Sequence, residues 1–282
     1  MPARHQGTLD RPNPLPREVA PGIFWLGECL EQRQQGKIYH GCNASFLIVG
    51  ETACMMVESG HPKDFPITEG QLNTLLVGRP PLKYLFVTHQ ETPHCGGLGR
   101  VLSRFPDALL VGDVSDYHLA FPQYENRMVM MKEGDEIDLG GRAFRAVEPV
   151  VRDMRTTWWG FETRERVLFP GDGFAYSHYH WDGHCGLVAE EAASLDLEDT
   201  TAVFADLALW WTKWADMTNY CERLDHLMAV LDVKTVCPTH GLVITDPART
   251  MPKVKEGLLY GSRVAERGTN EAKFAKPPVA AE

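Results

Sequence analysis

His89-Gln90-Glu91-Thr92-Pro93-His94-Cys95-Gly96-Gly97 follows directly on the apolar run Tyr84-Leu85-Phe86-Val87. The run predicts a buried strand, and two imidazoles and a carboxylate stand at its end. Histidine and glutamate are good ligands for a first-row metal, and a strand end holds them more rigidly than a free loop. A helical His-x-x-x-His metal motif is excluded. His89 and His94 are five residues apart, about 140° around a helix of 3.6 residues per turn, and Pro93 interrupts any helix between them.

Length and composition bound what such a motif can serve. The chain has 282 residues, 44% hydrophobic and 23% charged, ordinary values for a globular protein with a large core. No stretch approaches the roughly 18 consecutive apolar residues of a membrane span. Met1-Pro2-Ala3-Arg4-His5-Gln6 lacks the apolar core of a secretion signal. Seven cysteines without a C-x-x-C spacing suit a reducing compartment. These features predict a cytoplasmic protein that does not insert in membranes. The net charge of −10 disfavours nucleic acid and other polyanions as partners and leaves a small-molecule substrate as the expectation.

Residues 1–21, with several prolines and charges, read as an extended N-terminal arm, and 267–282 as a frayed tail. Between them, 22–266 reads as one domain. Strands are predicted at 23–26, 44–49, 53–57, 82–87, 108–111, 143–151, 166–169 and 234–237, and helices at 68–77, 98–105, 115–120 and 220–231. The stretch 201–207 reads equally as a buried strand or the start of a helix. This order suggests an α+β protein with two packed sheets and helices outside.

Two further strand ends carry ligand-type residues. Val167-Leu168-Phe169-Pro170-Gly171-Asp172 ends on an aspartate, and Val236-Cys237-Pro238-Thr239-His240-Gly241 on a histidine. With H-x-E-x-x-H-x-G, G-D and P-T-H-G in this order, residues 22–250 resemble the metallo-β-lactamase superfamily. That family is a four-layer αββα sandwich whose strand-end loops hold two metal ions. Glu91 stands where hydrolases of the superfamily carry a histidine, so the sequence is more similar to the flavodiiron and oxygen-binding diiron branch, which reads H-x-E-x-D-H.

The resemblance implies that His89 and Glu91 bind one divalent ion, zinc or iron, and that His94 and His240 bind the other, with Asp172 between them. Asp172 and His240 are also the expected catalytic residues. Counting back from Asp172, the family's intermediate histidine falls at Asp153, which becomes a further expected ligand. Pro93 replaces the family's motif aspartate and leaves a coordination position open on the second ion. His178, His180 and His184, three histidines within seven residues, are candidates to fill it or to contact substrate. Trp158, Trp159, Tyr176, Tyr179 and Trp181 are the expected walls of an aromatic substrate pocket.

Three activities fit this constellation. Hydrolysis of a small aromatic ester or activated ether by a metal-bridging hydroxide is the leading expectation. Oxygen or nitric oxide chemistry at a diiron centre is the alternative, favoured by the carboxylate Glu91. It requires a separate electron donor, because little chain follows His240 and there is no cysteine pair of redox spacing. A non-catalytic subunit with a decayed metal site is the second alternative, and Pro93 is its support. An oligomer, with or without a second kind of subunit, is expected in each case.

Overall fold

The computed structural model describes residues 15–34, 36–173, 179–181, 183–192 and 195–266. Seven strands form the first sheet, in the order β1-β2-β5-β6-β7-β8-β9. They are β1 (Arg17–Ala20), β2 (Ile23–Leu26), β5 (Ser45–Val49), β6 (Cys54–Val57), β7 (Leu82–Phe86), β8 (Leu109–Gly112) and β9 (Met128–Met130). A hairpin of β3 (Cys29–Gln34) and β4 (Lys37–Cys42) projects between β2 and β5. The second sheet runs β10 (Glu136–Asp138), β11 (Ala143–Val147), β12 (Trp159–Glu162), β13 (Val167–Gly171) and β14 (Thr235–Pro238).

Strand alternation builds the layers. Met55 and Val57 of β6 and Phe86 of β7 face the core shared with Phe144, Phe161 and Phe169 of the second sheet. Their neighbours Cys54, Met56 and Leu85 turn to the other side and pack with helices α1 (Phe65–Leu76) and α3 (Leu98–Arg104). Phe86, Phe144 and Phe169 meet as neighbouring rings 4.8 and 6.0 Å apart. Each such ring contributes roughly 1.5–3 kcal/mol by burial. Gly160 makes room for this stack, because a Cβ there would lie 2.1 Å from the Phe144 ring. Short helices α2 (Thr92–Cys95) and α4 (Tyr117–Ala120) lie on the first sheet's side of the chain, and α5 (Leu197–Leu207), α6 (Met217–Leu231) and α7 (Pro247–Glu266) pack into the second sheet's core. The result is the four-layer αββα sandwich expected.

Three local differences from the sequence reading have physical causes. The undecided stretch 201–207 is helical: Asp196 caps α5 by accepting a hydrogen bond from the Asp199 amide, and Glu198 and Asp199 stand in its first turn. Arg17–Ala20, placed in the arm, is extended but paired, forming the edge strand β1 against β2. The β3–β4 hairpin escapes a hydrophobicity pattern because its outer residues are polar. The expected tail, 267–282, lies outside the described residues. Among the described residues no helix is long and apolar enough to cross a membrane.

Candidate metal centre

The first sheet brings β6 and β7 together in parallel, and the second does the same with β13 and β14. Parallel neighbours end at the same edge, so four chain segments leave the sandwich side by side. They carry Glu58, His89, Asp172 and His240. This is the general reason why polar sites collect beyond the carboxyl ends of parallel strands. His94 follows from the one-turn helix α2, and Asp153 from the loop between β11 and β12.

These side chains meet in two groups. His89 Nε2 lies 2.9 Å from Asp153 Oδ2 and 3.3 Å from Glu91 Oε2. Asp172 Oδ1 lies 3.0 Å from His94 Nε2 and 3.3 Å from His240 Nε2. The His89 and His94 rings are 3.8 Å apart, which joins the groups into one centre. Ligand atoms of His89, Glu91, His94 and Asp172 all fall within 4.8 Å of one another. All six residues named as ligands from the sequence are therefore brought together.

The remaining ring nitrogens fix the histidines. His240 Nδ1 donates to the Cys42 carbonyl at 2.6 Å, and His94 Nδ1 to Glu58 Oε1 at 3.2 Å. The Thr88 hydroxyl donates to Glu58, so its oxygen accepts from His89 Nδ1 at 3.1 Å. With each Nδ1 held, all three rings turn Nε2 toward the centre, the arrangement that outer hydrogen bonds impose on metal-binding histidines. His94 Nε2 and Asp172 Oδ1 are buried, and despite their separation neither makes a well-directed hydrogen bond. The donor set and this pair of orphaned atoms fit metal ions.

Electrostatics lead to the same place. Burial and the adjacent His94 disfavour charge on His89, but Asp153 and Glu91 outweigh them and raise its pKa to about 9. Burial likewise opposes charge on His94, and Asp172 and Glu58 hold it well above the usual imidazole value. Asp172 is depressed: burial opposes ionisation, while His240 and His94 favour it more strongly. Without metal the buried carboxylates are thus balanced by protons on His89 and His94. Metal must displace them, so loading the metal-free chain at pH 7 is expected to release about two protons. Apparent affinity should climb with pH up to about 9, as His89 gives up its proton. Calorimetric titration in buffers of different ionisation enthalpy measures this; uptake independent of pH between 6 and 9 would contradict it.

A cleft of about 630 Å³ opens onto the centre. Glu91, Asp153, Asp172 and His240 reach it, as does Pro93, so the position left open by the proline faces the cleft. Its apolar wall is not the one expected. Tyr179 lines it, but with Phe204, Leu207 and Trp210. Trp159 is fully buried in the core of β12, as strand alternation requires for one of two consecutive tryptophans, and Trp158 packs half-buried against that core. Trp181 stacks on Tyr39 at 5.0 Å. Tyr176 and His178 lie outside the described residues. His180 is turned to Cys29, 3.2 Å away, and neither it nor His184 lines the cleft. His61 does line it, a residue the sequence gave no reason to single out.

Glu58 is the principal residue that sequence reasoning missed. It is 1% exposed and accepts from the Thr88 amide and hydroxyl, Thr239 and His94. Its signal was present: Cys54-Met55-Met56-Val57-Glu58-Ser59-Gly60 ends an apolar strand on an acid beside a glycine, as at Asp172. Glu58→Gln should lower metal affinity about 10–100-fold while leaving every direct ligand in place. Competition with a chromogenic chelator measures this, and an unchanged affinity would remove Glu58 from the centre.

Comparison with known proteins agrees with this geometry. The model of the metallo-beta-lactamase superfamily matches residues 41–192. The chain belongs to that superfamily. Its curated relatives include a coenzyme F420H2 oxidase of Methanocaldococcus jannaschii, 20% identical over 247 residues, covering 83% of this chain and 58% of the relative. A nitric oxide reductase of Moorella thermoacetica is 22% identical over 256 residues, with 83% and 59% covered. This chain therefore spans under two thirds of the length of the curated relatives it matches. Among solved structures, rubredoxin oxygen:oxidoreductase of Desulfovibrio gigas superposes with a TM-score of 0.68 at 12% identity, over 87% of this chain and 61% of that one. A fragment of a Nostoc diflavin flavoprotein gives 0.66 at 13% identity, over 89% and 96%. The superfamily relatives are flavodiiron proteins, the branch to which Glu91 pointed, and their dinuclear metal site is the counterpart of this centre.

These relatives correct the leading expectation of activity. They are named as an oxidase and a reductase, and neither is named as a hydrolase, which overturns the expectation of hydrolysis. The reading as a hydrolase gave too much weight to the open position at Pro93. It gave too little to the carboxylates Glu91 and Asp153, which favour iron over zinc.

Proposed function

We infer that this chain is the metal-bearing domain of a diiron protein that reduces oxygen or nitric oxide with electrons from a flavin-bearing donor. The observation that carries the reading is the carboxylate-rich half of the centre, with Glu91 and Asp153 both against His89. His89, Glu91 and Asp153 would hold one ion, His94 and His240 the other, and Asp172 would lie between them. Two iron ions so held would supply one-electron redox chemistry, two electrons per pair, with any further electrons coming from the donor.

The chain's own groups do the rest. Phe204, Leu207 and Tyr179 line the approach and limit water at the centre. Burial and the charge on Asp172 push the Tyr179 hydroxyl up to about 12, so it stays protonated and able to donate a hydrogen bond into the cleft. Pro93 cannot ligate and lines the cleft, so a second ion held by His94 and His240 would have a position left for substrate on that side. A partner at the cleft mouth is supported by the edge-to-face pair Trp210 and Trp214, whose exposures are 56% and 72%.

Steady-state consumption of oxygen and of nitric oxide, followed with a chemical reductant, tests the reading. Chain reconstituted with iron(II) should consume at least one of the two gases in many turnovers, and zinc-loaded chain neither. Equal rates for the two metal forms would contradict it.

A further inference from the structure

A second group of metal-type ligands lies in the interior beside the first, in residues that the function above does not use. Cys29 and Cys42 face each other across the β3–β4 ladder. Directly opposed residues share a face, and so do His40 and Cys42, two residues apart. Onto that face comes the segment after β13, through reciprocal backbone hydrogen bonds between His40 and His180 of 2.7 and 2.9 Å. Cys29 Sγ is then 3.7 Å from Cys42 Sγ and 3.2 Å from His180 Nε2, while His40 Nδ1 is 3.2 Å from Cys185 Sγ. All five residues are buried, and the ligand atoms of Cys29, Cys42 and His180 fall within 4.8 Å of one another, as do those of His40, His180 and Cys185.

We propose that Cys29, Cys42 and His180 bind a structural zinc ion, with His40 or Cys185, which group with the same His180, moving in as the fourth ligand when the ion binds. The spacing of the two sulfurs is that of a tetrahedral site. With Zn–S bonds of about 2.3 Å, the S···S edge of a tetrahedron is about 3.8 Å, and the two sulfurs are already 3.7 Å apart. Thiolate and imidazole ligands select zinc over the harder ions suited to a carboxylate-rich centre. Two thiolates would neutralise the ion, which a buried site requires. Tyr39, Tyr179 and Phe204 pack together as an apolar cluster beside the hairpin, and Tyr179 and Phe204 separate part of this group from the cleft that Cys42 also reaches.

The ion would join segments far apart in the chain: the β3–β4 hairpin and the stretch that follows Asp172. It would also act on the first centre through Cys42, whose sulfur belongs to the second group and whose carbonyl accepts from His240 Nδ1. Zinc binding thereby fixes the carbonyl that orients His240. The proposal is independent of the redox chemistry inferred above.

Cobalt substitution under reducing, anaerobic conditions tests it. The described ligands of the first centre include no thiol, so sulfur-to-cobalt charge-transfer absorption reports the second site alone. We expect that absorption in the wild-type chain, its loss in Cys29→Ser and Cys42→Ser, and its survival in His89→Ala and Cys95→Ser. Absence of the band in wild-type protein with free thiols would overturn the proposal, as would its persistence in both cysteine variants. A thiol titre two short that reductant restores, identifying a Cys29–Cys42 disulfide, would overturn it too. If the variants do not fold, the zinc X-ray absorption spectrum of the wild-type protein decides. Sulfur scatterers at about 2.3 Å uphold the site, and a shell of nitrogen and oxygen only overturns it.

Discussion

Replacing Asp172 by alanine is expected to lower turnover about a thousand-fold, or ~4 kcal/mol at the transition state, with the fold retained. Asp172 lies against both His94 and His240, and its ligand atom falls within 4.8 Å of those of His89 and Glu91, so it is placed to serve both halves of the centre. Its removal takes away the carboxylate that both His94 Nε2 and His240 Nε2 approach, and a second ion would keep two protein ligands. Iron content should fall toward one per chain, and the far-ultraviolet circular dichroism should not change. A variant that keeps two irons and more than about a tenth of the wild-type rate would show that Asp172 is not the shared ligand.

Gly171→Val is expected to act on the fold and the centre together. Gly171 has φ of +60°, where a β-branched residue is strained, and a Cβ there would lie 2.4 Å from the Thr88 hydroxyl oxygen. Strain and overcrowding each cost of the order of 1–3 kcal/mol, so a loss of about 3 kcal/mol or more is expected. Thr88 also holds Glu58 and His89, so displacing it loosens both halves of the metal site. Denaturant unfolding measures the first effect and iron retention the second. A variant of wild-type stability would mean that the β13 end is more pliable than its packing implies. Gly171→Ala, smaller but equally left-handed, should fall between the two.

The parts of the molecule legible in the sequence were those where an apolar run ends abruptly on a polar residue. Ile23–Leu26 is a strand as read, and β6, β7 and β14 lie within one residue of their expected limits. His89, Glu91, His94, Asp172 and His240 could be found because each follows such a strand or opens the turn after it. Asp153 lies in a loop and was reached only by counting along a family pattern, yet its carboxylate is the nearest to His89. Glu58 obeys the strand-end rule as well as Asp172 does. Unlike Asp172, it belongs to no part of the H-x-E-x-x-H-x-G, G-D and P-T-H-G set that marks the other residues.

The cleft wall was less legible because it is made in three dimensions by residues of different elements. Trp158, Trp159 and Trp181 were grouped by nearness in sequence, but one strand sends neighbours to opposite sides, and Trp181 follows His180 onto the β3–β4 hairpin. Phe204 and Trp210 come from α5 and the turn after it, a stretch whose very class was undecided from its composition. Cys29, His40 and Cys42 gave no signal at all. Their spacings match no metal motif, and only the antiparallel pairing of β3 with β4 puts their side chains on one face.

The most direct test of the account is the iron itself. Chain purified without chelator and reconstituted anaerobically with iron-57(II) should show two high-spin ferrous sites of different surroundings by Mössbauer spectroscopy. One reflects a shell of His89, Glu91 and Asp153, the other a shell richer in histidine. On exposure to a limited amount of oxygen or nitric oxide, both signals should decline together as the pair is oxidised. A single iron site would contradict the account, and so would two ferrous irons that neither gas alters.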